Sequence, residues 1–258
     1  MNKGTFEGDI DEIKFVQDFN SNKDKYNNFL SNFQSFKNLL MVRVTTKQLS
    51  QLSGKKVFTR SDCYLSSISD NIQNIIKEND YYLSEEILDS HRIKYQKIPY
   101  SGVSIKMTTS NKFQILKTGP NSFKSLFNCY ELGAGASLFC MRKEELVKNR
   151  DVIKGWKTSI DNMTNFFDKF TKGDELFYLN QQKCADIKNF SNLEIKRIID
   201  ESQDLQKKIF NGIGLYEEPY TAYYFYHGKQ IKILTTIPYI VTTGSGRSKG
   251  NYTIVLKP

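Results

Sequence analysis

The chain has 258 residues, of which 39% are hydrophobic and 13% aromatic; this apolar content is enough to close a large core and excludes a mainly disordered protein. No run approaches about eighteen uninterrupted apolar residues, and the first five residues lead into acidic ones, so we expect a cytoplasmic protein without a membrane span or a secretory signal. A net charge of +9 favours nucleic acid as the partner. A Lys- and Asn-rich composition of the kind found in AT-rich genomes would give the same charge.

The cysteines and histidines exclude several kinds of site. Neither a C-x-x-C pair nor the spacing of a disulfide framework occurs among the four cysteines, which predicts reduced, buried thiols and no structural zinc at Cys63, Cys129, Cys140 and Cys184. The histidines, His91 and His227, lie in no H-N-H, H-x-H or H-E-x-x-H pattern. A histidine-metal nuclease is therefore not expected.

The first hundred residues alternate between helical and strand patterns. Apolar residues at helical intervals, interrupted near residues 20–23, predict two helices. Bulky and β-branched residues then predict a half-buried strand, followed by two short helices and an alternating strand. In chain order, these elements are predicted at residues 6–36, 57–65, 69–77, 84–88 and 93–98.

The next segment predicts an antiparallel pair of strands and a helix. Residues 102–107 and 112–117 both have strand-forming patterns, and the polar residues 108–111 between them suit a hairpin turn. Pro120 then opens a helix that continues through Phe127, because a proline at the first helical position has no unpaired N–H.

The last part of the chain contains long helical patterns and then strands. Helices are predicted at residues 152–170 and 193–210, and His227-Gly228 reads as a hairpin turn between two strands. The strands are predicted at residues 222–227, 230–234, 238–242 and 252–256. The fold class is therefore α/β in the mixed α+β sense, with helices flanking a mixed central sheet and a hairpin-rich C-terminal part. The chain has no repeat or long linker, which favours one compact unit.

One constellation of residues has the chemistry of phosphodiester hydrolysis. That reaction needs a divalent metal to neutralise charge on the phosphate oxygens, and often a lysine beside the attacking water. Asp62 heads a predicted strand, and Ser104-Ile105-Lys106 lies in another. Period-two alternation places Ser104 and Lys106 on one face and points Ile105 into the core. The sequence therefore predicts that Asp62 and Lys106 converge.

These residues resemble the PD-(D/E)XK nuclease superfamily in a D…S-x-K variant. The stretches 60–64, 102–106 and 113–117 are similar to bacterial type II restriction endonucleases, and residues 2–7 resemble the start of their amino-terminal helix. The similarity spans Arg60 to about Cys140. The chain departs from the pattern in two ways: a serine, Ser104, stands where a second acid is expected, and a long segment separates the two motifs.

The resemblance implies a Mg²⁺-dependent endonuclease that recognises a short site in double-stranded DNA, commonly as a homodimer. It implies a single restriction-endonuclease-like domain over residues 1–258, with the catalytic core at about 55–140 and a helical and β-hairpin DNA-contacting part at about 150–258. A gene for a DNA methyltransferase is expected nearby, because a host with a site-specific cutter must protect its own genome.

The missing acid has two candidates under this resemblance. Glu131 is preferred, because it follows the helix that begins at Pro120 and precedes the small residues 133–136, which allow close backbone approach. Glu7 is the second, since an amino-terminal helix packs beside the site in many relatives. Either acid would bind metal together with Asp62, although each could equally be an ordinary solvated carboxylate. The predicted catalytic residues are Asp62, Ser104, Lys106 and Glu131.

Contacts to DNA are predicted at two places. Gln114 and Lys117, on the strand expected beside Lys106, could touch the scissile phosphate or simply face solvent. The loop at 242–252 carries hydroxyl and basic side chains that suit phosphate and guanine contacts, namely Ser245, Arg247 and Lys249. It lacks the Walker pattern, and a plain hairpin loop is the alternative.

Two other functions fit the same residues. A basic nucleic-acid-binding protein with a degenerate, non-catalytic nuclease fold is one, because Ser104 replaces an expected acid. A repair nuclease that recognises DNA structure instead of sequence is the other. Metal-dependent cleavage into discrete fragments separates the restriction endonuclease from both alternatives.

Overall fold

The computed structural model of the chain describes residues 3–44, 59–68, 72–106, 114–243 and 254–257, without the side chains of residues 3–8, Thr236 and Ile254. It confirms the predicted mixed α+β class. The chain forms two compact units, each made of two segments. The first unit is Met1–Phe113 with Lys207–Ile237, and the second is Gln114–Gln206 with Pro238–Pro258.

The described helices and strands have the following bounds. The helices are α1 (Lys3–Ser21), α2 (Asn27–Leu30), α3 (Gln73–Glu78), α4 (Glu85–Ser90), α5 (Pro120–Phe127), α6 (Glu131–Ser137), α7 (Lys143–Leu146), α8 (Asn149–Gly155), α9 (Ile160–Phe166), α10 (Asp168–Thr171), α11 (Gln181–Glu201) and α12 (Gln203–Gln206). The strands are β1 (Leu39–Arg43), β2 (Cys63–Ile68), β3 (Tyr95–Lys97), β4 (Val103–Ile105), β5 (Leu116–Thr118), β6 (Tyr224–His227), β7 (Gln230–Ile233), β8 (Ile240–Thr243) and β9 (Ile254–Lys257). Short 3₁₀ turns occupy Lys23–Tyr26, Ser31–Phe33, Phe177–Leu179 and Leu234–Thr236, and a π-helical turn occupies Lys207–Asn211.

The first unit is built on a six-stranded mixed sheet. Its strand order is β1-β2-β4-β6-β7, and β3 also pairs with β2. The pairs β1–β2, β2–β4 and β6–β7 are antiparallel, whereas β4 and β6 are parallel. The predicted turn at His227-Gly228 is confirmed between β6 and β7, where Gly228 and Lys229 both have positive φ angles.

The core of the first unit lies between α1 and this sheet. Phe15, Val16 and Phe19 on α1 are at most 2% exposed, as expected for an apolar stripe at helical spacing. The ring of Phe15 lies 4.2 Å from that of Tyr226 on β6, which ties the helix to the centre of the sheet. Burial of each such aromatic ring contributes about 1.5–3 kcal/mol to stability.

The predicted hairpin between residues 102–107 and 112–117 is wrong. β4 lies between β2 and β6, while β5 pairs with β9 in a separate three-stranded sheet. Val103, Ser104 and Ile105 are all buried, and a buried strand needs hydrogen-bonding partners on both edges. A local turn supplies only one partner. The predicted turn at 108–111 lies outside the described residues.

The second unit joins a small antiparallel sheet, in the order β5-β9-β8, to a group of helices. Leu132 to Ser137 of α6 are all buried. At Gly133 an added Cβ would lie 2.1 Å from the ring of Trp156, so only glycine allows this close approach. The helix α6, whose small residues predicted a close approach between backbones, is therefore tightly packed within the second unit.

The predicted helices at 152–170 and 193–210 have different bounds in the structure. Lys157 takes a left-handed conformation after α8, and the Ser159 hydroxyl then caps α9 by accepting a hydrogen bond from the Asn162 amide at 3.1 Å. α11 is capped by Asn180 and begins well before the predicted start. Helical periodicity alone does not locate these caps.

The remaining predictions about organisation have mixed outcomes. All four cysteines are free thiols, but only Cys63 and Cys184 are buried; the prediction of burial is wrong for Cys129 and Cys140, which are partly exposed. Across the described ranges, every helix is too short or too polar to cross a bilayer. The predicted parts at about 55–140 and 150–258 do not coincide with the two compact units, because the boundary falls at Phe113 and the chain returns to the first unit at Lys207. The single restriction-endonuclease-like domain stays a prediction.

The attachment of α1 to β1 gives a test of this fold. The buried Asn20 side chain accepts a hydrogen bond from the Met41 amide at 2.8 Å and donates to the carbonyls of Met41 and Tyr81 at 3.0 and 3.1 Å. We expect Asn20→Ala to lower the free energy of unfolding by roughly 2–4 kcal/mol, because it leaves the two buried backbone groups of Met41 and the partly buried Tyr81 carbonyl without this partner. Urea unfolding measures this change.

Asn22→Ala is the matched control. Among the described residues, the exposed Asn22 side chain bonds to the side chains of Asp18 and Ser21, each at 3.1 Å. Its replacement should change the free energy of unfolding by no more than about 0.5 kcal/mol. Equal losses in the two variants would contradict the role given to Asn20.

Candidate active site

Asp62 is held between two strands of the first unit just before β2 begins. Its amide donates to the Val103 carbonyl at 2.9 Å, and its carbonyl accepts from the Val44 amide at 2.9 Å. The pairing of Cys63 with Val103 in the antiparallel β2–β4 ladder places Asp62 opposite Ser104. The backbone therefore directs the Asp62 side chain toward the S-x-K segment.

The carboxylate of Asp62 binds that segment directly. Its Oδ2 atom accepts hydrogen bonds from the Ile105 amide at 2.5 Å and from the Ser104 hydroxyl at 3.2 Å. Ser104 stands where the second acid is expected, but its hydroxyl donates a hydrogen bond to Asp62 and supplies no negative charge. Ile105 points into the core, as predicted, and is 9% exposed.

Lys106 continues the β4 strand beside this aspartate. Its amide donates to the Tyr226 carbonyl at 2.9 Å, which fixes the start of its side chain. Burial lowers the pKa of Lys106; the negative charges of Asp62 and Glu12 act in the opposite direction, and the positive charge of Arg60 lowers the pKa further. A partly buried lysine with a lowered pKa beside carboxylates is suited to polarise water or to exchange a proton.

A second carboxylate reaches this place from α1, and it is Glu12. Its Oε2 atom accepts from Nε and Nη2 of Arg43 at 2.8 and 2.7 Å. The same Nη2 atom also binds Asp9 at 2.8 Å. Burial, and then the negative charge of Asp62, raise the pKa of Glu12 to about 7, although Arg43 opposes this shift. Two acids therefore share one partly desolvated region.

Glu12 was not among the predicted acids, yet the sequence contained a signal for it. Residues 12, 15, 16 and 19 have the spacing i, i+3, i+4 and i+7, so Glu12 shares the helix face of Phe15, Val16 and Phe19. A carboxylate on the apolar stripe of a helix is costly unless it has a partner. The predicted acid in the same helix was Glu7, which precedes Glu12 by five residues.

Arg60 adds a second positive group near Asp62. Its Nε and Nη2 atoms donate to the carbonyls of Phe210 and Ile209 at 2.9 and 3.1 Å. Burial lowers the pKa of Arg60, and the negative charge of Asp62 opposes that shift. Arg60 therefore contributes a fixed positive charge next to the candidate catalytic residues.

The other predicted acids are placed differently. Glu7 lies in α1, but its side chain is outside the described residues. Glu131 belongs to the second unit, where its two carboxylate oxygens accept from the Thr158 hydroxyl at 2.7 Å and from the Tyr130 amide at 3.1 Å. These bonds satisfy the start of α6. A metal-binding role for either acid stays a prediction.

The predicted DNA-contacting residues are not beside Lys106 in its sheet. Gln114 and Lys117 are exposed and belong to the second unit, where Lys117 pairs with Val255. The expectation that they occupy the strand next to Lys106 is therefore wrong, because β6 takes that position. The predicted contacts at Ser245, Arg247 and Lys249 lie outside the described residues.

The described residues contain no group of three or more His, Cys, Asp or Glu side chains arranged to hold a metal ion. Asp62 and Glu12 nevertheless fit Mg²⁺, which usually keeps several waters and binds through one or two carboxylates together with substrate phosphate oxygens. Burial is the main cause of the raised pKa of Glu12, and the negative charge of Asp62 is the second; a cation bound between the two carboxylates would offset the second effect. Binding of Mg²⁺ would have to draw Glu12 partly away from Arg43.

The chain matches no protein-family model, and comparison with curated proteins and with solved structures gives no significant match. The resemblance to PD-(D/E)XK nucleases therefore remains a hypothesis. Its support comes from the residues of this chain and from their geometry.

The raised pKa of Glu12 predicts a pH dependence of stability in metal-free protein. Its ordinary pKa is 4.5 and its folded-state pKa is about 7, so the folded state binds this proton more tightly. The resulting stabilisation is present below the unfolded pKa and is lost as the pH rises through about 7. We expect wild type to lose roughly 1 kcal/mol per pH unit, relative to Glu12→Gln, across the steepest part of this range.

Urea unfolding in EDTA at several pH values measures this difference. Glu78→Gln, at an exposed acid on α3, is the control and should follow the wild-type curve. A constant difference between wild type and Glu12→Gln across the whole range would contradict the electrostatic environment described for Glu12.

Proposed function

We propose that the protein is a Mg²⁺-dependent endodeoxyribonuclease of the type II restriction kind, which hydrolyses phosphodiester bonds at a short specific site in double-stranded DNA. The observation that carries this proposal is the meeting of Asp62, Lys106 and Glu12 at one end of the mixed sheet. The Asp62 carboxylate bonds to the segment that carries Lys106, and Glu12 and Asp62 both act on the charge of Lys106.

Asp62 and Glu12 are the residues that would hold the metal. Mg²⁺, when bound, neutralises charge on the phosphate oxygens and on the leaving oxygen. The Ile105 amide and the Ser104 hydroxyl orient the Asp62 carboxylate, and preorganised groups of this kind lower the cost of reaching the transition state.

Lys106 would act on the attacking water. A positioned side chain whose pKa lies closer to neutral exchanges protons more effectively than a fully solvated lysine, and burial lowers the pKa of Lys106. Arg60 adds positive charge near Asp62, which favours binding of the anionic substrate. The guanidinium of Arg60 is held by two backbone carbonyls, and the main chain of Lys106 is held by the Tyr226 carbonyl.

The partners follow from the same proposal. A net charge of +9 favours attraction to DNA. The proposal includes a homodimer, a cytoplasmic location and a DNA methyltransferase encoded nearby. It also includes contacts to DNA from the basic loop that contains Ser245, Arg247 and Lys249, and from Gln114 and Lys117.

One observation favours a second candidate, a non-catalytic DNA-binding protein. Ser104 takes the position of an acid, and Arg43 occupies Glu12 with two hydrogen-bonding contacts. An ion pair of this kind would weaken metal binding if it persisted. Salt-sensitive DNA binding without metal-dependent cleavage would select this candidate.

Cleavage of DNA tests the proposed function. Purified protein incubated with unmethylated double-stranded DNA and Mg²⁺ should give discrete fragments, which gel electrophoresis resolves. Asp62→Asn and Lys106→Met should each reduce the cleavage rate by roughly 10²–10⁴-fold, because each removes a group that acts on the reacting atoms. Glu12→Gln should reduce it chiefly by raising the Mg²⁺ requirement.

Two exposed residues of the same unit provide matched controls. Asp80→Asn and Lys77→Met make the same chemical changes at solvated positions at the end of α3 and should leave cleavage unchanged. Wild-type levels of cleavage by both Asp62→Asn and Lys106→Met would contradict the assignment of these two residues to the active site. Fragments without discrete ends would favour a structure-specific nuclease instead.

A further inference from the structure

A second set of polar side chains lies in the first unit, around a buried carboxylate that is not part of the candidate active site. We call it the Glu85 network, and it consists of Glu85, Tyr64, Lys97 and Tyr220. Glu85 is 1% exposed. Its Oε1 atom accepts hydrogen bonds from the Tyr64 hydroxyl, from Lys97 Nζ at 2.7 Å and from the Tyr220 hydroxyl at 2.9 Å. A charge buried so deeply requires such donors.

Tyr220 is held by several contacts within this network. Lys97 Nζ donates to its hydroxyl oxygen at 2.5 Å and also lies 4.9 Å from the centroid of its ring. The rings of Tyr64 and Tyr220 pack edge to face at 6.0 Å. Burial and the neighbouring carboxylate raise the pKa of Tyr220, which keeps the hydroxyl protonated as a donor to Glu85.

The backbone of Tyr220 is bonded to the residues immediately before Asp62. Its carbonyl accepts from the amides of Arg60 and Ser61 at 3.0 and 3.1 Å. The Ser61 hydroxyl also donates to the Pro219 carbonyl at 3.2 Å. The side chain of Tyr220 is therefore held by Glu85, while its carbonyl holds Arg60 and Ser61, the two residues before Asp62.

The same segment also packs against the start of β4. The amides of Tyr223 and Tyr224 donate to the Gly102 carbonyl at 2.9 and 3.1 Å. A Cβ added at Gly102 would lie 1.8 Å from the Thr221 carbonyl oxygen. Residues 219–224 thus contact Arg60 and Ser61, just before Asp62, and Gly102, just before β4. A displacement of residues 219–224 would therefore move Asp62 and Lys106 relative to each other.

We infer that Tyr220 is a positioning residue of the candidate active site, with its hydroxyl held by Glu85 and its carbonyl holding the Arg60-Ser61 segment before Asp62. This inference rests on the proposed function and deepens it. Tyr220 acts through Asp62 and need not touch DNA or metal. Loss of its hydroxyl should therefore loosen the metal-binding carboxylate while leaving the DNA-contacting surface intact.

Tyr220→Phe tests this inference, because it removes one hydroxyl and keeps the ring. The Mg²⁺ concentration for half-maximal cleavage should rise about tenfold, since partners that orient a ligating carboxylate typically contribute 10–100-fold to metal affinity or activity. The KM for DNA should stay at the wild-type value. Glu85→Gln, which keeps an acceptor oxygen but loses the charge, should give a smaller rise and serves as the second variant if Tyr220→Phe does not fold.

Tyr95→Phe is the matched control. Tyr95 lies on β3, next to the network, and its hydroxyl donates to the exposed Asp89 at 3.3 Å. Its removal should leave the Mg²⁺ requirement unchanged. A fall in melting temperature for Tyr220→Phe without any change in Mg²⁺ requirement would show a structural role alone and would overturn the inference.

Hydrogen exchange separates this inference from the proposed function. In metal-free protein, the amides of Arg60 and Ser61 should exchange several-fold faster in Tyr220→Phe than in wild type or Tyr95→Phe. Unchanged exchange at both amides would overturn the inference even if wild type cuts DNA. A wild-type protein that binds Mg²⁺ and DNA without cutting would instead refute the proposed function, and the positioning role in catalysis with it.

Discussion

The candidate active site depends on hydrogen bonding along both edges of β4. β2 supplies one edge and places Asp62 opposite Ser104, and β6 supplies the other and fixes the start of the Lys106 side chain. An aspartate oxygen then accepts from the Ile105 amide, within β4 itself. Since a buried strand cannot leave these backbone groups unpaired, the geometry of the site follows from the sheet.

Around the candidate active site, the acidic side chains are not each paired with a separate cationic side chain. Asp9 and Glu12 share Arg43, whereas Asp62 is held by neutral donors. Burial, and then the negative charge of Asp62, raise the pKa of Glu12. A divalent cation would relieve this repulsion, so the same arrangement that costs stability in the metal-free protein would contribute to metal affinity.

Local patterns predicted much of the first unit and only part of the site. Alternation around Ile105 and the strand-like run after Asp62 were sufficient to predict that Asp62 and Lys106 share one sheet, and the dihedral demands of His227-Gly228 predicted the β6–β7 turn. The neighbours of β4 were not predictable in this way, because β6 is remote in sequence and a polar turn after β4 suggested a hairpin. Glu12 was missed for a related reason: its partner Arg43 lies on another element, so only its place on an apolar stripe marked it.

The first unit is completed late in the chain. β4 ends at Ile105, whereas its parallel neighbour β6 begins at Tyr224, after the chain has formed most of the second unit. During translation, a ribosome must therefore synthesise the chain past Tyr226 before the Lys106 amide can bond to the Tyr226 carbonyl, and past Tyr220 before the Ser61 amide can bond to the Tyr220 carbonyl. Long-range pairings of this kind slow folding. Under the proposed function, a nascent chain would consequently have no complete candidate active site until β6 has been synthesised and has paired with β4.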